Sequence, residues 1–240
     1  MYDDAFFNAQ EQRSLSSARA VAALVEDLLP VRSVLDIGCG RGAWLKAFLE
    51  CGADNIVGFD GAYVDRSQLL IPSECFFTAD LALPFDITER FDLAISVEVL
   101  EHLPHSVAPR LIETLCAAAP AVLFSAAIPG QGGTHHVNER WPEYWEQLFA
   151  MNAFVQLDPI RRHVFANPEV ASWYKQNVYL YVHRSLLDSN STLQAERALA
   201  EQNDVQIIAK SRLVPLMSVS GLLGELGRSI RRSIQHGLGI

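Results

Sequence analysis

Between residues 11 and 29 the apolar side chains return every three to four positions. Leu15, Ala18, Val21, Ala22, Val25 and the pair Leu28-Leu29 share one helical face, and Pro30 closes the run. The period then shortens. Ser33–Ile37 is an apolar run of strand length ending in a glycine-rich turn, and a helix is predicted from Ala43 to about Cys51, with Gly52 as its cap. Further short apolar runs predict strands at 55–59, 75–78, 91–97 and 121–127, with a helix at 106–118 before the last of these. A polar loop at 129–140, a helix from 142 to about 152, and strands at 154–157 and 178–182 complete the series. Strands that alternate with helices predict an α/β fold built on a doubly wound, largely parallel sheet.

Two stretches stand apart from this pattern. The connection 158–177 is longer than a hairpin needs and carries Arg161, Arg162, His163, Trp173, Tyr174 and Lys175. Long connections inside compact domains are often functional. This one suits either contact with an acceptor substrate or an insert that packs its own tryptophan. From about residue 185 the composition changes. A polar helix is predicted at 186–203, and 213–240 carries Leu222, Leu223, Leu226, Ile230 and Ile234 beside Arg228, Arg231 and Arg232. With Lys210 this makes a basic amphipathic tail on an acidic protein, suited to an anionic membrane surface, to a partner such as a second copy of the chain, or to the protein's own body. The expected division is therefore a main domain over 1–184, with 1–30 as an N-terminal helical lid including Phe6, Phe7, Gln10, Ser16 and Ser17, and an extension over 185–240.

The chain has 240 residues, half of them apolar, enough for one full α/β domain and an appendage. Nineteen Lys and Arg against 28 Asp and Glu give a formal charge of −9, which argues against general nucleic-acid binding. The four cysteines, Cys39, Cys51, Cys75 and Cys116, form no C-x-x-C pair and read as free thiols of a reducing compartment. The acidic start Met-Tyr-Asp-Asp has no basic, then apolar, signal pattern, and no apolar run is long enough to span a bilayer. The expectation is a cytoplasmic protein, with the basic tail as its route to the inner membrane face.

The chemistry starts at residues 34–42, Val-Leu-Asp-Ile-Gly-Cys-Gly-Arg-Gly. A strand ending in such a turn brings backbone close to a ligand at the carboxyl edge of a parallel sheet. The spacing D-x-G-x-G-x-G differs from the G-x-G-x-x-G of dinucleotide enzymes. An acid at its first position would repel a pyrophosphate and suit a cationic group such as an amine.

This motif resembles the first motif of the class I S-adenosylmethionine-dependent methyltransferases, over a stretch from about Ser33 to His183. The resemblance implies a Rossmann-like seven-stranded sheet with the last strand antiparallel. It also implies S-adenosylmethionine as cofactor, with S-adenosylhomocysteine as product. On the matching positions, Asp36, Gly38, Cys39 and Gly40 form the glycine loop, where Cys39 serves as a small residue and not as a nucleophile. Asp60, ending the second strand, accepts the two ribose hydroxyls. Asp80 and Leu81 meet the adenine, and Glu98 lies near the methionine part.

The donor of such a reaction is already activated, so the enzyme mainly positions the acceptor and, for a hydroxyl, removes its proton. Two histidine groups compete for that task. Glu98-x-x-Glu101-His102 resembles the pattern of ubiquinone-pathway and small-RNA 2′-O-methyltransferases, where it can hold a divalent ion. The same residues also occur in metal-free enzymes, and the preferred expectation is no metal, with His102 lining the site. The loop Gly132-Gly133-Thr134-His135-His136-Val137-Asn138-Glu139-Arg140-Trp141 offers His135 or His136 as base, unranked, with Asn138 and Glu139 to orient a ring. Trp141, Tyr144 and Trp145 suit a sugar face or the core. This loop, with Trp173-Tyr174-Lys175-Gln176-Asn177, resembles bacterial surface-polysaccharide and natural-product methyltransferases. The expected reaction is O-methylation of a sugar or glycan precursor. The alternatives are a small aromatic or polyketide acceptor, an amino sugar methylated on nitrogen, and a non-catalytic scaffold of a glycan-assembly complex.

Overall fold

The computed structural model describes residues 4–202, with side chains described from residue 12 to residue 200. The tail 213–240, and Phe6, Phe7 and Gln10 of the expected lid, lie outside that description. Helix α1 (Asp4–Leu28) starts earlier than the periodicity suggested. Its residues Ala18, Val21, Ala22 and Val25, spaced i, i+3, i+4 and i+7, are fully buried. Ser17 of the expected lid is also buried, and its hydroxyl accepts from the Ala171 amide at 3.0 Å.

Seven strands follow: β1 (Ser33–Ile37), β2 (Asn55–Asp60), β3 (Phe76–Thr78), β4 (Leu93–Val97), β5 (Ala121–Ser125), β6 (Phe154–Leu157) and β7 (Tyr179–His183). Their order across the sheet is β3-β2-β1-β4-β5-β7-β6. β7 lies antiparallel between β5 and β6, with Leu123 opposite Leu180 and Val155 opposite Val182. The other pairings are parallel, for instance Asp36 with Gly58 and Ile95 with Leu123. Both faces are covered, so the central strands β4 and β5 are buried throughout and mostly apolar, as in parallel sheets.

Alternation along each strand sorts its side chains between two cores. Leu93, Ile95, Leu123, Leu180 and Val182 face α1 and α2 (Ala43–Cys51). Leu35, Ile37, Val122, Phe124 and Tyr181 face α3 (Ala108–Ala118) and α4 (Pro142–Met151). On the second face Phe149 stacks on Tyr181 at 3.7 Å, and Trp145 is buried against Phe124 at 5.2 Å. Trp145 is thus a core residue, while Trp141 is exposed. Gly52 caps α2 as expected, at φ +106, where its amide reaches Leu49.

The connection 158–177 folds into two short helices, α5 (Arg161–Val164) and α6 (Ser172–Asn177). Val164, Val170 and Tyr174 are buried in the α1 and α2 core, and Tyr174 meets Trp44 edge-on at 5.3 Å. Trp173 packs partly buried on the same cluster, so the insert does pack its own tryptophan. The polar helix expected at 186–203 is two helices, α7 (Arg184–Ser189) and α8 (Ser191–Gln202). The break falls at Asn190, whose side-chain oxygen accepts the amides of Thr192 and Leu193. Leu187 of α7 and Leu193 of α8 are buried in the same core as α1 and the sheet.

Candidate active site

The parallel strands deliver their functional residues to one edge of the sheet. Leaving β1, Gly38 adopts φ +87, and a side chain there would press into Val99, with Cβ only 2.3 Å from Cγ2. Only glycine fits. The Gly38 and Cys39 amides both donate to the Phe59 carbonyl, which ties the loop to β2. Cys39 is buried beneath Gly58, and burial, with Asp36 and Asp60 nearby, pushes its thiol far above the usual range. It is a packing residue that stays protonated.

Asp36 is 1% exposed, and among the described residues its Oδ2 has no hydrogen-bond partner. Burial, then the charge of Asp60, lifts its carboxyl well above the ordinary value. Asp60, at the end of β2, is bonded more fully: Oδ2 accepts the Gly40 amide at 2.6 Å, and Oδ1 accepts the Gly61 amide at 2.6 Å and the Tyr63 hydroxyl. Asp80 follows β3 in a turn where its Oδ1 accepts the Ala82 amide at 2.9 Å, and Arg110 holds the Leu81 carbonyl at 2.9 Å.

These groups border one cavity of about 570 Å³. Gly38, Asp60, Tyr63, Asp80, Leu81, Glu98, Val99 and His102 line it, whereas Asp36, Cys39 and Gly40 stand behind the lining. A cavity of this size suits a nucleoside-bearing ligand.

Glu98, the first residue past β4, has φ +57, a conformation that costs a non-glycine residue free energy. Its carboxylate accepts Ser125 Oγ at 2.8 Å, Gln131 Nε2 at 2.8 Å and Asn177 Nδ2 at 3.1 Å. Asn177 also donates to Gln131 Oε1 at 2.7 Å. One carboxylate therefore joins β4, β5, the 129–140 loop and α6.

The 129–140 loop is organised by Glu139. Its two oxygens accept the amides of Gly130 and Gly132, and Oε1 lies 2.9 Å from His136 Nδ1. The Glu101 carbonyl accepts the Val137 and Asn138 amides, which docks the loop against the segment after β4. The ring of His136 then meets that of His102 edge-on, with centroids 4.8 Å apart. His135 is exposed, at φ +61. The structure thus separates two histidines that the sequence left equal, and Glu139, not Asn138, orients the ring; Asn138 is buried and donates to the Leu100 carbonyl. Burial, followed by the neighbouring His136, lowers the His102 imidazole, which favours its neutral form.

Glu101 is fully buried, and among the described residues neither of its carboxyl oxygens has a partner at hydrogen-bond geometry. Burial, followed by the charge of Glu98, pushes this carboxyl up to about 9. Donor atoms of Glu101, His102 and His136 lie within 4.8 Å of one another. A divalent ion would fit this donor set, since it would satisfy the orphaned oxygens of Glu101 and accept neutral imidazole. The trio differs from the one the sequence pattern suggested: Glu98 is occupied by its three donors, and His136 stands in its place. Tyr63 and Gln131 carried no specific signal as site residues, and Asn177 was part of the 173–177 stretch without a role of its own.

A sheet of this order, with an antiparallel β7 and a glycine loop after β1, is the Rossmann-like methyltransferase fold. The family model described as a methyltransferase domain matches residues 7–163, and the chain belongs to that family. Curated relatives named ubiquinone biosynthesis O-methyltransferase are similar over a shorter stretch. The protein of Rhodopseudomonas palustris (strain BisB18) is 33% identical over 79 residues, 29% of this chain and 29% of that protein. That of Nitrobacter winogradskyi is 32% identical over 79 residues, 29% of this chain and 28% of its own length. The match thus spans under a third of these relatives. Among solved structures, the sugar N-methyltransferase from a Streptoalloteichus species aligns with a TM-score of 0.57 at 14% identity, over 77% of this chain and 93% of that one. Magnesium protoporphyrin IX methyltransferase from Synechocystis, with bound SAH, aligns with a TM-score of 0.53 at 18% identity, over 76% and 89%. Among the described residues no helix is long and apolar enough to cross a membrane.

Proposed function

We propose that this methyltransferase moves the methyl group of S-adenosylmethionine to a hydroxyl, on a sugar or glycan precursor. The observation that carries the reading is the 570 Å³ cavity, where Asp60, Asp80, Leu81 and Glu98 share one wall system with His102, beside the His136–Glu139 pair. The cofactor fits these residues: the Gly38 backbone can be approached closely, Asp60 is placed for a ribose diol, Asp80 and Leu81 for an adenine edge and face, and the acidic wall at Glu98 for an ammonium. The bound cofactor supplies an electrophilic methyl on a positively charged sulfur.

The protein's own part is to position and to deprotonate. The carboxylate of Glu139 on Nδ1 orients the His136 ring, which leaves Nε2 as the nitrogen to take a proton from an acceptor hydroxyl. His102, kept neutral, lines the path between cavity and loop. A base placed in this way suits a hydroxyl more than an amine, which needs only to be held unprotonated. The relatives named as O-methyltransferases support the same choice of atom. The sugar acceptor is supported by the resemblance of the histidine loop to glycan-associated enzymes; small aromatic acceptors and amino sugars are the rivals.

A metal-assisted version rests on the partnerless oxygens of Glu101. Glu101, His102 and His136 would hold a divalent ion, which would polarise the acceptor oxygen.

The test is transfer of labelled methyl into fractionated extract of the source cell, with and without chelator. Label in the glycan or nucleotide-sugar fraction is expected; label confined to small lipophilic metabolites would replace the sugar acceptor with an aromatic one. With the acceptor so found, His136→Ala should lower turnover by about 10²-fold or more, the usual worth of a general base, and His135→Ala by little. The reverse order would reject the assignment of the base. Loss of activity in chelator, restored by added divalent ion, would favour the metal-assisted version.

A further inference from the structure

We propose that Tyr63 is a built-in competitor for the ribose site, holding with its hydroxyl an acceptor position on Asp60 that the incoming nucleoside must claim. The inference rests on Asp60 as the ribose-binding carboxylate. An ionised carboxylate offers about four acceptor positions. Among the described residues three donors already use Asp60: the Gly40 amide, the Gly61 amide and the Tyr63 hydroxyl. A ribose diol brings two more hydroxyls, and one position remains for them. One of the three donors has to leave.

The structure identifies which one. Gly40 sits in the loop pinned by the bonds from Gly38 and Cys39 to Phe59 and from Gly42 to Cys39. Gly61 follows Asp60 directly in the chain, so its amide cannot be moved without moving β2. Tyr63 alone donates from a rotatable side chain. It stands in a short turn closed by the Val64 amide on the Gly61 carbonyl at 3.2 Å. Tyr63 is 83% exposed, so its ring can swing away without unpacking either core. The ring now folds back over Gly61, where an added Cβ would lie 2.3 Å from Cε1, and it borders the same cavity as Asp60 and Asp80. Gly61 is thus the residue that lets the phenol reach back to the carboxylate. The bond to Asp60 and the charge of that carboxylate push the phenol above its usual value, so it stays a donor through the neutral range.

The consequence is a set-point for affinity. The nucleoside exchanges one hydrogen bond on Asp60 for its own, so the net gain from Asp60 is smaller than a free carboxylate would give. Weaker holding favours release of the demethylated product, which carries the same ribose.

The experiment is calorimetric binding of S-adenosylhomocysteine and of 2′,3′-dideoxyadenosine to the full chain and to Tyr63→Phe, Asp60→Ala and the double variant. Tyr63→Phe keeps the ring and removes only the competing donor. It should tighten S-adenosylhomocysteine by about tenfold, the usual scale for a hydrogen bond to a charged group, and leave the dideoxynucleoside within about twofold. Asp60→Ala should weaken S-adenosylhomocysteine strongly, and Tyr63→Phe should add nothing on that background. If Tyr63→Phe weakens or does not change S-adenosylhomocysteine binding while Asp60→Ala weakens it, the competitor role is overturned and the ribose reading survives. If Asp60→Ala leaves the affinity unchanged, the ribose reading fails, and the inference with it.

Discussion

Arg161 ties the insert after β6 to the sheet, and its removal should be among the costlier single changes in the described chain. Its guanidinium is almost fully buried. Nε lies 2.9 Å from both oxygens of Asp158, Nη2 pairs with the same carboxylate, Nη1 donates to the Gln176 carbonyl at 2.9 Å, and the group sits 4.0 Å from the centroid of Tyr179. Arg161→Met keeps most of the stem and removes the charge. It strands a buried carboxylate and a buried carbonyl, and breaking a buried pair in this way costs about 3–5 kcal/mol. For a domain of this size that lowers the unfolding midpoint by about 6–20 °C.

The pair itself gains little net free energy, because burial lifts the Asp158 carboxyl above its ordinary value even with the guanidinium against it. The double variant Asp158→Leu/Arg161→Met should therefore recover at least half of the loss. Acidity supplies a second signature. Without Arg161 the folded carboxyl value rises further above the unfolded value of about 3.9, so stability is lost as the pH climbs from about 4 through the folded value. The gap between variant and wild type should narrow in acid. Urea unfolding followed by circular dichroism across pH 4–8 measures all of this. A cost below about 1 kcal/mol at neutral pH, or a double variant no better than the single one, would refute the reasoning.

Two further variants probe the glycine loop. Gly38→Ala meets both a positive φ, at about 1–2 kcal/mol, and the side chain of Val99, at about 1–3 kcal/mol. Adding Val99→Ala should return the steric share and leave the conformational one, read from denaturation midpoints; no return would mean that the loop moves instead of clashing. Asp36→Asn should stabilise the protein at pH 7–8 by about 1–3 kcal/mol, since the amide has no charge to lose on burial whereas the Asp36 carboxyl has a raised folded value. The wild-type deficit grows as the pH rises above about 4, so the two proteins should converge near pH 4, and a gain independent of pH would reject the cause.

Sequence alone determined what is local. The strand runs, the glycine turn after β1, the Gly52 cap and the acids that close β2 and β3 are set by neighbouring residues, through periodicity and backbone freedom, and they stand where the pattern put them. Even the antiparallel last strand was legible, through resemblance to a family. Local pattern failed where long-range contacts set the outcome. Two short helices at 158–177 read as a loop, because what holds them is burial against α1 and the sheet and one Arg–Asp pair, not propensity. His135 and His136 are chemical equals in the sequence; only the packing of the loop on Glu101, and the reach of Glu139, separate an exposed ring from an oriented one. Glu98 could be placed by motif, but its partner Asn177 lies 79 residues away, and no spacing rule connects them. Strand ends fix which residues reach the edge of the sheet. Which of those residues touch, and which carboxyl oxygens are filled or left orphaned, depends on side chains distant in sequence, and tertiary packing alone brings those within a hydrogen bond of one another.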